Sequence, residues 1–421
     1  MDKKRYEQYV ELLHSELVPA MGCTEPIAIA YLASEAFDLL KEDVVSAVIE
    51  VSGNILKNVK SVIVPNTGKL KGIEASLTAG ILFGKPERKL EVIADLIPDN
   101  RQKIVDFIAS HSIEVKYLES PHPFDLILTL NSLNHQVKVR ICGYHTNVVY
   151  KEKDGKVIYQ KPIEKVIIAP DSFKMSVEEI FEFVENVNID DIKDLLDKQI
   201  ECNMKIAQEG LKNDYGANVG KVLISSFGDG VYNQMKAYAA AASDARMNGC
   251  ELPVYIVSGS GNQGITASIP LVVYANYYNY PKDELYKALA LSNLVTIHLK
   301  KGIGRLSAFC GATSAGVGQG AGVAYLNTHD YVTIAHTIVN ALGIVSGMVC
   351  DGAKASCAAK IQAAIDAGIL GYEMYLKGQE FVDGDGLIVK GVENTINNIS
   401  RLANKGMVET DKEIIEMMIK C

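Results

Sequence analysis

Charge is what this chain lacks where it matters most. Residues 306–350 contain a single formally charged side chain, Asp330, and residues 252–281 contain none. Surface is not ordinarily built without Lys, Arg, Asp or Glu, so both stretches are excluded from it and belong in a core. The span 331–349 raises the question of a membrane crossing, but Thr333, His336, Thr337, Asn340, Gly343 and Gly347 interrupt it, and a buried core helix is expected instead. The opening residues, MDKKRYEQYVELLHSEL, alternate charged and apolar positions and lack the apolar core of a secretory signal, so a cytoplasmic protein is expected. A net charge of -9 excludes the dense basic face that nucleic-acid binding requires and leaves a small molecule as the default ligand. No solenoid period and no low-complexity segment is present. Tryptophan is absent too, and nothing follows from that.

What is present is a chain of 421 residues, enough for two or three domains and a large interior. The predicted fold is α+β: a mainly helical catalytic domain (residues 1–43 and 170–421) with an inserted α/β module (residues 44–169). Residues 4–19 carry the pattern of a first helix. Short β-branched segments at 44–51, 61–64, 114–118, 124–130, 136–141 and 146–150 read as strands, with Asp154-Gly155 as a hairpin turn before 156–160. Helices are expected at 72–84 and 100–111 within the module. A capping box, Ser176 to Glu179, opens the second helical region, which continues through 190–213 and 234–247.

Eight cysteines in a large chain expected in a reducing compartment should stay reduced, which leaves metal binding, catalysis or packing for each. Cys142, Cys202 and Cys250 read as packing residues. Cys310, Cys350 and Cys357 bound or follow the charge-poor stretch. Buried thiols set among Gly, Ala and Ser suit an enclosed soft-metal site such as an iron–sulfur cluster, and buried structural cysteines are the alternative. Were 350–357 unbroken helix, the last two sulfurs would stand ~10.5 Å apart along the axis. A turn at Asp351-Gly352 is therefore predicted, with a helix restarting near Ala353.

Cys23, in Gly22-Cys23-Thr24-Glu25-Pro26, lies just before a predicted helix whose N-terminal partial charge would lower its pKa. It reads as a base or nucleophile, or as a packing residue. The segment 258–264, Ser-Gly-Ser-Gly-Asn-Gln-Gly, satisfies G-x-G-x-x-G through Gly259, Gly261 and Gly264. Pro270 sits inside the helix that would follow, and no second strand with an acidic end appears about twenty residues on. A better reading is a loop that offers backbone N–H groups, with Ser258, Asn262 and Gln263, to a substrate carboxylate.

Taken together, these motifs resemble the L-cysteine desulfidases, relatives of the iron–sulfur-dependent L-serine dehydratases. The resemblance runs through residues 22–26, residues 258–264 and the order and spacing of Cys310, Cys350 and Cys357, and it covers nearly the whole chain. It implies a [4Fe-4S] cluster on Cys310, Cys350 and Cys357, one iron left open, Cys23 as proton acceptor, and a substrate site at Ser258, Gly259, Asn262, Gln263 and Gly264. The serine dehydratases space their last two cluster cysteines more widely, around a proline-containing segment absent here, which tilts the expectation towards cysteine.

The expected activity is β-elimination on a small L-amino acid, giving pyruvate, ammonia and, from cysteine, hydrogen sulfide. The rivals are an L-serine dehydratase, a nicotinamide-dependent oxidoreductase and a non-catalytic cluster sensor. Neither a nucleic-acid nor a membrane partner is expected, and the oligomeric state is left open, a homo-oligomer included. Cys421, the last residue, is a candidate cap for the open iron.

Overall fold

A computed structural model describes residues 1–21, 24–122, 124–163, 173–304 and 307–420. Two large hydrophobic cores organise them, one against a six-stranded sheet and one inside a helical body, in a mainly helical α+β fold. The strands are β1 (Pro19–Met21), β2 (Ser46–Ser52), β3 (Ser112–Leu118), β4 (Asp125–Asn131), β5 (Gln136–Cys142), β6 (Val148–Lys153), β7 (Lys156–Gln160) and β8 (Pro253–Tyr255). The first helices are α1 (Lys3–Glu16), α2 (Thr24–Leu40), α3 (Gly53–Val59), α4 (Gly72–Phe83) and α5 (Arg101–Ser110).

The sheet runs β3-β2-β4-β5-β6-β7, parallel between β2 and β3 and antiparallel elsewhere. A parallel pair needs a crossover, and α3 to α5 supply it. Alternation along β2 turns Ala47, Ile49 and Val51 into the core. Asp154 and Gly155 both adopt positive φ (51° and 76°), which is the turn their sequence calls for between β6 and β7.

Two departures from expectation bear on the site. Residues 61–64 form only an isolated Ile63–Lys71 bridge, because the Thr67 hydroxyl donates to the Val64 carbonyl at 2.7 Å and turns the chain back. Just before it lies α3, a helix not anticipated from the sequence. Meanwhile α2, expected with the helical domain, packs on α4, β4 and β5, burying Ile27, Ile29 and Leu32 in the sheet's core. Helix α1 and strand β1 join the helical body, where Tyr9 stacks on Phe183 at 5.2 Å between ring centroids and β1 pairs with β8.

The helical body comprises α6 (Val177–Asn186), α7 (Lys193–Lys212), α8 (Val219–Phe227), α9 (Val231–Met247), α10 (Gly261–Tyr278), α11 (Lys282–Ile303), α12 (Gly311–Thr328), α13 (Tyr331–Val345), α14 (Cys357–Leu376), α15 (Val392–Arg401) and α16 (Val408–Lys420). The Ser176 hydroxyl caps α6 by accepting from the Glu179 N–H. The charge-poor stretch forms α12 and α13, and α12 is buried on every side by α10, α11, α13 and α14. A helix apolar all round must be enclosed in this way. Among the described residues no helix is long and apolar enough to cross a membrane.

Candidate active site

The starts of five helices, α2, α3, α10, α12 and α14, converge with the loops before them on one cavity of about 120 Å³. Cys310, Cys350 and Cys357 all line it, and so do Thr24, Glu25, Asn54, Lys57, Arg246, Gly259, Ser260, Asn262, Gln263, Lys300 and Lys360. Cys310 and Cys350 are brought together by a short antiparallel bridge between Phe309 and Val349. Within it the Cys310 N–H donates to Met348 O (3.0 Å) and the Cys350 N–H to Ala308 O (2.6 Å). Cys310 then caps α12, and Cys357 is the first residue of α14.

The predicted break between Cys350 and Cys357 is present. The chain leaves α13 at Val345, turns at Gly352 (φ +94°) and re-enters helix at Cys357, four residues later than expected. Only glycine fits the turn, since a Cβ on Gly352 would also overlap the Lys57 carbonyl oxygen. That close approach sets α3 against the cysteine loop. The Cys357 thiol donates to Gly352 O at 3.6 Å.

Cations surround the thiols. Lys57, almost fully buried, holds Asp411 of α16 at 2.6 Å; Lys360 pairs with Asp351 and donates to Val349 O at 2.9 Å; Lys300 is buried in α11. Cys350 is held well below an ordinary thiol, chiefly by the hydrogen bond it accepts from Cys310, with burial opposing its charge and Lys57, Gly352 N–H and Lys300 supporting it. Cys310, the donor of that bond and itself buried, is pushed well up. Burial also raises Cys357. One sulfur of the group is thus poised to be anionic at neutral pH.

The donor set is all sulfur, which favours a soft metal or an iron–sulfur cluster over Mg²⁺ or Ca²⁺. Among the described residues no three His, Cys, Asp or Glu side chains close around a single ion. Three thiols lining one cavity, with cations to balance their charge, are the donor set that an iron–sulfur cluster takes.

The Gly-rich loop is a tight hairpin in which Val257 and Ser260 exchange backbone hydrogen bonds of 3.0 and 3.1 Å, with Ser258 (φ 48°) and Gly259 (φ 79°) at its tip. Ser260 caps α10 by accepting from the Gln263 N–H. Its glycines serve packing: a Cβ on Gly261 would overlap the Arg246 guanidinium, and one on Gly264 the Tyr255 carbonyl. Of the five residues expected to bind substrate, Gly259, Asn262 and Gln263 line the cysteine cavity. Ser258 instead lines a neighbouring cavity of about 280 Å³ with Phe124, Tyr144 and His145, and Gly264 packs on β8. Ser260 stands where Ser258 was expected. Among the described residues β8 pairs only with β1, antiparallel, so the parallel neighbour that a dinucleotide site requires is missing.

Cys23 and Cys421 lie outside the described residues. Thr24 and Glu25, next in the chain after Cys23, line the cavity. Sequence reading missed Arg246, Ser260, Lys300 and Lys360, and the whole α3 contribution of Asn54, Lys57 and Asn58. The last three had a signal in their i, i+3, i+4 spacing, which places them on one helix face. Arg246 had a fainter one, as a cation near the end of an alanine-rich helix.

Comparison with known proteins adds the lineage. The profile of the serine dehydratase alpha chain matches residues 87–416, which include all three clustered cysteines and the Gly-rich loop. The chain belongs to the serine dehydratase alpha-chain family. A UPF0597 protein of Desulfitobacterium hafniense is 54% identical over 416 residues, covering 98% of this chain and 97% of the relative. A UPF0597 protein of Lachnoclostridium phytofermentans is 43% identical over 415 residues (98% and 100%), and one of Treponema denticola 41% over 429 residues (100% and 99%). The relatives' shared name specifies no substrate.

Proposed function

We propose that this protein is a cytoplasmic iron–sulfur-dependent lyase that removes the β-substituent of a small L-amino acid, with L-cysteine as substrate and pyruvate, ammonia and hydrogen sulfide as products. The observation that carries the reading is the convergence of Cys310, Cys350 and Cys357 on a small cation-lined cavity that also receives the start of α2 and the start of α10. Cys310, Cys350 and Cys357 would hold a [4Fe-4S] cluster, and when bound it would supply a Lewis-acidic iron able to stabilise negative charge on the departing sulfur. Cys23, directly before the first residue of α2, is assigned the removal of the α-proton as its thiolate. Ser260, Asn262 and Gln263 orient the polar end of the amino acid so that its α-hydrogen faces that base. Loss of the α-proton and cleavage of the Cβ–S bond leave 2-aminoacrylate, which tautomerises to the imine and is hydrolysed to pyruvate and ammonia.

L-serine is the second reading, supported by the family to which the chain belongs. Anaerobic protein should contain iron and sulfide and release pyruvate together with sulfide from cysteine. Pyruvate from serine alone would favour dehydration, and a cluster without turnover of either would favour a sensor. Cys23→Ser should abolish turnover and keep the cluster's visible absorbance; bleaching would make Cys23 a ligand and overturn its role as base.

A further inference from the structure

Arg246, a buried charged side chain at this cavity, has only neutral hydrogen-bond partners among the described residues. It is only 6% exposed, and its Nη1 donates to Asn262 Oδ1 at 3.2 Å and, weakly, to the Met247 sulfur at 4.0 Å. Among the described residues no carboxylate pairs with it, whereas Lys57 has Asp411 and Lys360 has Asp351. A guanidinium removed from water without a counter-charge is costly, and a site that retains one has an anion to receive. Its position is also built rather than incidental: Gly261 leaves out the Cβ that would displace it, and Asn262 fixes its far edge. Two buried amide oxygens on the same cavity, Asn54 Oδ1 and Gln263 Oε1, accept from no group among the described residues. Gln263 is held against Gly311, beside Cys310.

Resting on the reading of the site as one for a small amino acid, we propose that Arg246 binds the substrate's α-carboxylate and that Asn54 and Gln263 accept hydrogen bonds from its α-ammonium. The chemistry is complementary. A zwitterion offers two acceptor oxygens on one side of Cα and three donors on the other, and the cavity offers a planar donor fork and two unused acceptors. This moves the carboxylate from the loop amides to a side chain of α9, with Asn262 as the positioning residue that orients the guanidinium. It also moves Gln263 from the carboxylate to the ammonium.

The test uses binding to anaerobic holoenzyme, with L-alanine, which has no leaving group, and ethylamine, which has no carboxylate. Arg246→Gln should weaken L-alanine by roughly 10- to 100-fold, the range for a lost charge-assisted hydrogen bond, and leave ethylamine affinity and iron content unchanged. Arg246→Lys should recover part of the loss, and it serves as the test if the glutamine variant does not fold. Gln263→Met should weaken both ligands alike. L-alanine binding within twofold of wild type in Arg246→Gln, or no binding of L-alanine to wild type, overturns the proposal. Loss of iron in both Arg246 variants also overturns it, since the guanidinium would then be balancing the thiolates. If wild type binds L-alanine through Arg246 but turns over neither cysteine nor serine, the lyase reading fails and this one stands.

Discussion

Replacing Asp244 with Asn should remove a pH dependence of stability that the fold builds into the junction of α8 and α9. Asp244 is 1% exposed; its Oδ2 accepts from the Gly220 N–H at 3.1 Å, and its Oδ1 has no partner. Burial lifts its carboxyl from an ordinary 3.8 to about 6, against the N–H groups of Gly220 and Val219, which favour the charged form. Because the folded value lies above the unfolded one, the folded state binds the proton more tightly. The contribution to stability is complete below pH 3.8 and is lost as pH rises through about 6. At 1.36 kcal/mol per pH unit, the whole loss comes to about 3 kcal/mol. The Asn variant keeps an oxygen for Gly220 and carries no charge. The assay is chemical unfolding of both proteins from pH 4 to 8, compared as a difference so that titrations common to both cancel. Wild type should lose stability relative to Asp244→Asn between pH 4 and 7 and run parallel above that. Curves parallel throughout would refute the claim that this carboxylate is a buried, poorly compensated charge.

Gly352→Ala should lower iron content while far-ultraviolet circular dichroism is unchanged. The alanine costs about 1–2 kcal/mol in a left-handed conformation, and its methyl meets Lys57 O, so the loop carrying Cys350 and Cys357 must move; full iron loading would refute this. Asp411→Asn strands the buried Lys57 ammonium and should destabilise by about 3 kcal/mol or more, and adding Lys57→Met should recover part of that, measured by denaturant midpoint. Gly264→Ala, which would overlap the Tyr255 carbonyl, should lower the thermal midpoint, whereas Gly230→Ala, with open space around it, should not. Equal midpoints for these two would show that α10 does not need its close approach to β8.

Much of the scaffold was legible along the chain because it is written locally. Absence of charge marked α10, α12 and α13 as interior, since burial follows composition over any window long enough to form a helix. Ser176 and Asp154-Gly155 announced a cap and a turn through chemistry confined to a few residues. The break between Cys350 and Cys357 followed from helix rise and the Asp351-Gly352 turn signal, although its four-residue extension did not, because Gly352 packs on Lys57, nearly three hundred positions away in the chain.

What only the tertiary structure decided is which polar groups face the thiols. Arg246 comes from α9, Asn54 and Lys57 from α3, and Lys300 from α11, and no one of these segments carries a mark of the others it will face. The same holds for α2, an apolar helix that could have covered either core and lies on the sheet. Periodicity tells a helix which of its faces to bury, and it is silent on the surface that will cover that face. A site assembled from side chains on separate elements therefore exists only after those elements have packed.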